Sequence, residues 1–255
     1  MFAEHSAQQL THTLTSFLGH HDLSRSQAAA LYRFYLITIA LKHNSYQKLE
    51  DDGILQDYFN MFNDIFFYGS LKDYTKVEFK TSQEMGFGCF GHCTSRWSPL
   101  NERRNIPDNF AALILFQNLS TELDFCFRSA RLSHYLGTLL YEMLHAYYGI
   151  YMCRCNRECR KSGKLTVDGR TGHAQLWLEA AIAIERATIP LLGVRLDLGL
   201  HGTMCDEYGH NCKMTAPQEV LSALEPLEQE EFHWSEFLGM EKLEMNTDLT
   251  LTPAE

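Results

Sequence analysis

At 255 residues, 45% of them hydrophobic, the chain can bury a sizeable core, so one domain with extensions is expected. A net charge of −10 argues against a protein given over to the phosphate backbone, which calls for a basic face; Arg103-Arg104 and Arg154–Lys164 are the local basic stretches. Met1–Leu10 is polar and has no apolar signal-peptide core, and no apolar run reaches bilayer length. An intracellular protein, cytoplasmic or nuclear and without membrane partners, is therefore expected, its eight cysteines serving as thiols or metal ligands rather than as a disulfide framework.

Residues 6–18 and 24–43 read as two helices separated by His20-His21-Asp22, with Ser24 as N-cap of the second. They form a packing extension, and the histidines at 12, 20 and 21 read as solvated. Glu50–Tyr68 is a third helix, whose aromatics at 58, 59, 62, 66 and 67 follow helical spacing and point to a core. Three strands follow. Lys76–Lys80 alternates Val77 and Phe79 with charged neighbours, Gly86–Thr94 is small and apolar, and Phe110–Gln117 is a continuous apolar run suited to burial. Arg96–Asp108, with Pro99, Asn101 and Pro107, reads as a loop. Leu132–Tyr151 and Ala174–Arg186 are two further helices, interrupted by residues 153–171. Beyond Ala216 the chain is acidic, with a helical stretch at Glu219–Phe237 and a loosely held tail at Asn246–Glu255. This order gives an α+β fold, helices packed on a small mixed or antiparallel sheet. The chain divides into an N-terminal helical extension (1–50), a domain (51–215) and an acidic C-terminal extension (216–255).

The chemistry gathers in Leu139–Tyr148. Tyr141 and His145 are four apart and so share one helix face, and Glu142 is next to Tyr141. With His at 141 this would be H-E-x-x-H, two imidazoles on one zinc and a Glu to handle the water proton; the sequence reads Y-E-x-x-H. His173, entered through Gly172 with Trp177 one turn on, can swing toward the first helix. Two more clusters hold zinc-type donors. Cys153, Cys155 and Cys159 could bind a second zinc with a fourth ligand from elsewhere, or stay a loop of thiols. His201, Cys205, His210 and Cys212 suit tetrahedral zinc by type but not by finger or ribbon spacing. The two clusters could also share one ion.

His145, Glu142 and a later Gly172-His173 followed by an aromatic resemble the SprT-like zincins, the metalloprotease family that includes Spartan. Tyr58–Phe67, ending Phe62-Asn63-Asp64-Ile65-Phe66-Phe67 before Gly69-Ser70-Leu71, is similar to that family's opening helix. Met85-Gly86-Phe87-Gly88-Cys89-Phe90-Gly91 resembles its small-residue strand ahead of the metal helix. The likeness covers residues 54–190 and departs from the family at Tyr141.

The resemblance implies a zincin-like core over residues 51–215, zinc as cofactor, and a zinc-dependent metallohydrolase, most simply a peptidase, with an altered ligand set. His145 and His173 would be metal ligands and Glu142 the general base, then general acid. The third ligand place is open to Tyr141, to His134 two turns before it, to a thiol of 153–159 or to a histidine of 201–212. The edge strand that pairs with an extended peptide falls, by resemblance, at Phe110–Gln117. The expected partner is a protein or peptide substrate, with a small molecule as a further option; the charge speaks against DNA, and the family likeness leaves it open. The alternative is an inactive pseudo-enzyme that binds or scaffolds.

Overall fold

The computed structural model describes residues 4–19, 22–42, 51–85, 89–96, 106–107, 109–119, 128–209, 216–218 and 220. The stretch Glu219–Phe237, apart from Val220, the tail, Gly86–Gly88, His210 and Cys212 lie outside them.

Helix α1 (Ala7–Leu18) opens with a capping box in which Ser6 and Gln9 each bond the other's backbone N–H. Helix α2 (Arg25–Lys42) opens the same way: Ser24 Oγ accepts from Gln27 N at 3.2 Å, and Gln27 Oε1 from Ser24 N at 2.9 Å. Helix α3 (Asp51–Phe66) buries Tyr58, Phe59, Phe62 and Phe66, and the residue after it, Phe67. Phe62 sits between Tyr58 and Phe66 at ring-centroid distances of 5.8 and 5.6 Å. Each such ring stabilises the core by about 1.5–3 kcal/mol. Asn63, fully buried, closes the turn after α3: its Oδ1 accepts from Leu71 N at 2.8 Å and its carbonyl from Gly69 N at 2.9 Å.

The sheet has the order β1–β3–β2, from β1 (Thr75–Lys80), β2 (Gly91–Ser95) and β3 (Ala112–Gln117). β1 runs parallel to β3, with Val77 opposite Ile114, and β2 antiparallel, with Cys93 opposite Ile114. A four-residue helix, α4 (Ser82–Met85), follows β1. Helix α5 (Arg128–Tyr151) packs on β2 and β3 on one side and on helix α7 (Gln175–Leu192) on the other. The fold is therefore α+β, helices on a small mixed sheet, as expected.

Four details differ from the sequence reading. The second strand begins at Gly91, because Cys89 turns back on itself with its Sγ donating to the Gly91 carbonyl at 3.3 Å. β3 is central, since both neighbours pair with it, so among the described residues the outer strand beside α5 is β2 and not Phe110–Gln117. The segment 153–171 contains helix α6 (Arg157–Gly163), N-capped by Asn156, and a π-helical turn (Lys164–Asp168). Helix α7 runs on past Arg186 through Pro190 to Leu192, because Ala187, Thr188 and Leu192 are buried in the core; Gly193 then ends it in a left-handed turn. A last described helix, α8 (Leu200–Tyr208), packs on α7.

The N-terminal helices are part of the main core: Ala7, Leu10, Leu14, Ala30 and Phe34 belong to the same buried cluster as α5 and α7. Tyr148 of α5 links three helices, its hydroxyl 2.6 Å from Thr11 Oγ1 and donating to the Leu176 carbonyl at 3.1 Å. No helix among the described residues is long and apolar enough to cross a membrane.

Candidate metal centre

Tyr141 and His145 stand one turn apart on α5. His173 reaches them from the entry to α7, where Gly172 takes φ +99°, a left-handed value that strains any other L-residue. A Cβ on Gly172 would lie 3.7 Å from His145 Cε1, so the turn passes directly over that ring. The outcome is convergence: His145 Nε2 and His173 Nε2 are 3.1 Å apart, and Tyr141 Oη is hydrogen-bonded to His173 Nε2. The indole of Trp177, fully buried, packs on all three rings, stacked on His145 at 4.9 Å and edge-on to His173 at 4.7 Å and to Tyr141 at 4.9 Å.

Second-layer contacts set the state of His173. Glu207 accepts from the backbone N–H groups of Arg170 and Thr171 and from Thr171 Oγ1 at 2.7 Å. Burial pushes the Glu207 carboxyl up, but these bonds together hold it below its usual range, so it is ionised and only accepts. The Thr171 hydroxyl spends its proton on Glu207. It must then accept from His173 Nδ1, 3.1 Å away. This assigns the proton to Nδ1 and leaves Nε2 with a bare lone pair facing His145 and Tyr141. Burial pulls His173 down to about 4, against the upward pull of Glu207 and Asp206, and holds His145 well below its usual value, so both rings are neutral near pH 7.

The donor set therefore suits a cation. His173 Nε2 offers its lone pair to the Tyr141 hydroxyl, and His145 Nε2 lies 3.1 Å away. A metal ion of the zinc type would accept from all three. Without such a charge the Tyr141 phenol is raised by burial, and by Glu142 beside it, above its ordinary value. An ion would reverse that shift.

Glu142 is 4% exposed and lies between α5 and β2. Burial pushes its carboxyl up to about 8, opposed by a hydrogen bond from the backbone N–H of Cys93. Gly91 makes room for it: a Cβ there would fall 2.5 Å from Thr138 Cγ2 and 3.0 Å from Glu142 Oε1. The carboxyl group thus sits against the edge strand, one residue from Tyr141.

The other candidates separate from this centre. His134 packs edge-on against Phe90 at 4.6 Å and is held low by burial, against Asp197. Cys153, Cys155 and Cys159 have their sulfurs within 4.8 Å of one another, a donor group that could hold a metal ion; among the described residues it contains neither His201 nor Cys205. A single ion shared between the two cysteine clusters is therefore not what the described residues form. His201 Nε2 and Cys205 Sγ approach to 3.8 Å within α8, a single helical turn, and their partners His210 and Cys212 lie outside the described residues.

Sequence reasoning did not identify Thr171 or Glu207. Thr171 left a faint trace, a hydroxyl two residues before His173. Glu207 left none, because only folding brings α8 over the entry to α7. Comparison with protein-family models, curated proteins and solved structures gives no match to this chain.

Proposed function

We propose that this chain is a SprT-like zinc-dependent metallohydrolase, most simply a peptidase, with Tyr141, His145 and His173 as its ligand set and a zincin-like core over residues 51–215. One observation carries the reading: two side chains of α5 and one from the entry turn of α7 meet at one point, with Glu142 next to Tyr141 in the chain. Zinc at such a point supplies positive charge that acidifies a water and polarises a carbonyl. The chain's own residues do the rest. Burial holds Glu142 protonated; with its pKa lowered by the ion's positive charge, it would take a proton from the attacking water and return it to the leaving amine. Trp177 walls the site with apolar surface, and Thr171 and Glu207 hold the His173 ring to one tautomer. The edge of β2, beside Glu142, offers backbone groups to an extended peptide by strand addition. The Tyr141 ligand also admits a small-molecule substrate.

A second reading, an inactive SprT-like binding or scaffolding protein, draws on two facts: Tyr stands where the motif has His, and Glu142 is closed in by β2. Metal content and hydrolysis of an unfolded protein such as casein separate the two. The first reading expects His145→Ala and His173→Ala each to lose an ion, and Glu142→Gln to keep the ion while losing hydrolysis about 10²–10⁴-fold. Unchanged metal in both histidine variants, with no hydrolysis by the parent chain, leaves the second. Tyr141→His sharpens the result: proteolysis gained marks a lapsed protease, whereas native activity lost makes Tyr141 a working ligand.

A further inference from the structure

The three cysteines after α5 have no part in the proposed reaction, and their geometry is not that of an ordinary surface loop. Cys153 and Cys155 sulfurs are 3.0 Å apart, and Cys155 and Cys159 sulfurs 3.7 Å. Cys159 is held by the Asn156 cap, which accepts from its backbone N–H at 2.8 Å. Cys153 is held by its own N–H, which donates to the His5 carbonyl at 2.7 Å as the N-terminal segment pairs with the end of α5. Both outer cysteines are therefore anchored by backbone contacts, and Cys155 between them is exposed.

We infer that Cys153, Cys155 and Cys159 hold a second zinc ion, a structural staple separate from the His145–His173 centre. Soft thiolates select zinc over hard cations. Tetrahedral zinc with Zn–S near 2.3 Å requires sulfurs about 3.8 Å apart. The Cys155–Cys159 pair already meets this, and the Cys153–Cys155 pair reaches it by opening about 0.8 Å, which the side chain of an exposed Cys155 allows. Each coordinated thiol gives up its proton to solvent. A water fills the fourth place, since the described residues bring no further His, Cys or carboxylate within ligand reach of the three sulfurs.

The position suggests what the staple does. Arg154 reaches across the interhelical segment to Asp168 with two bonds of 2.9 and 2.8 Å, and Ala174 N donates to the Val167 carbonyl at 2.9 Å. The ion would thus fix the near end of the segment whose far end delivers His173.

The inference does not depend on the hydrolase reading, because the two sites differ in donor type. The full chain, purified under reducing conditions, is loaded with cobalt(II) in place of zinc. A thiolate-to-cobalt charge-transfer band is expected, absent from a Cys153→Ser/Cys155→Ser/Cys159→Ser variant and retained in a His145→Ala/His173→Ala variant. In the unmutated zinc-loaded chain, about three thiols should be shielded from a thiol reagent and become reactive when a chelator is added, which tests the site without any substitution. No band in the loaded parent chain, a band that survives the triple substitution, or thiol reactivity indifferent to chelator overturns the inference. Thiols released by reductant but not by chelator would show a disulfide and overturn it as well.

Discussion

Two sets of metal-type donors involve the segment between α5 and α7: the three cysteines at its start, and His173 at its end where it meets Tyr141 and His145 of α5; they are built in contrary ways. Tyr141 and His145 come from α5 and His173 from the turn that enters α7, and all three are packed on a fully buried Trp177. Their rotamers are fixed by the core and by Thr171 and Glu207, so the site exists before any ion arrives. Cys153, Cys155 and Cys159 lie within seven residues of one another, on a bend and the first turn of α6, with Cys155 exposed. Local chain brings them near; only the bound ion would hold them. A core-organised site can be destroyed from the core, whereas a chain-organised one is indifferent to it.

The strongest test of that contrast is Trp177→Ala. Truncating a fully buried indole should cost roughly 3–5 kcal/mol in denaturant unfolding. In whatever fraction stays folded, cobalt binding at the histidine centre should go while the thiolate band persists. Equal loss at both sites would mean that the cysteines too depend on the core.

Thr171→Val is the subtler version. It removes both the acceptor for His173 Nδ1 and the hydroxyl that donates to Glu207, leaving Glu207 its backbone donors, so metal affinity at the histidine centre should fall about 10–100-fold with no change at the cysteines, read by competition with a chromophoric chelator. An unchanged affinity would show that Glu207 does not act through Thr171.

Arg154→Ala tests whether the two ends communicate. The Arg154–Asp168 pair is bidentate but partly exposed, so its stability contribution is about 1 kcal/mol. Loss of metal affinity at the histidine centre in this variant, with the thiolate band intact, would show that the linking segment transmits order.

The smallest effect is expected at β1, away from both. Glu78 is held below its usual pKa, first by Lys76, then against burial by Lys80. A depressed carboxylate stabilises the fold above its unfolded pKa, and that contribution disappears as pH falls below about 4.3 through the lower folded value. Glu78→Gln should therefore cost about 0–1 kcal/mol near pH 7, nothing at low pH, and leave both sites untouched. A larger change in metal binding would mean that the sheet tunes the site.

How much could be read before folding varies with range. The capping boxes at Ser6 and Ser24, the aromatic face of α3 and the course of α5 follow from neighbours three and four residues apart. The nearness of His145 to His173 was readable only through the family-like order of motifs. The placing of the edge strand failed: an apolar run such as Phe110–Gln117 says that a strand is buried, not which strands flank it. The pairing of Glu207 with Thr171 left no pattern, since they are 36 positions apart with helix α7 between them.

The residue string alone was enough for α1, α2, α3, α5 and most of α7, the α+β class and the short-range cysteine group, but not for the short helices α4, α6 and α8, because the forces that make the former act between residues close along the chain. It took the packed chain to put β3 at the centre, to close β2 over Glu142, and to bring a phenol and two imidazoles to one point. Those arrangements are chosen by burial of apolar surface, which depends on the whole core at once and not on any local spacing.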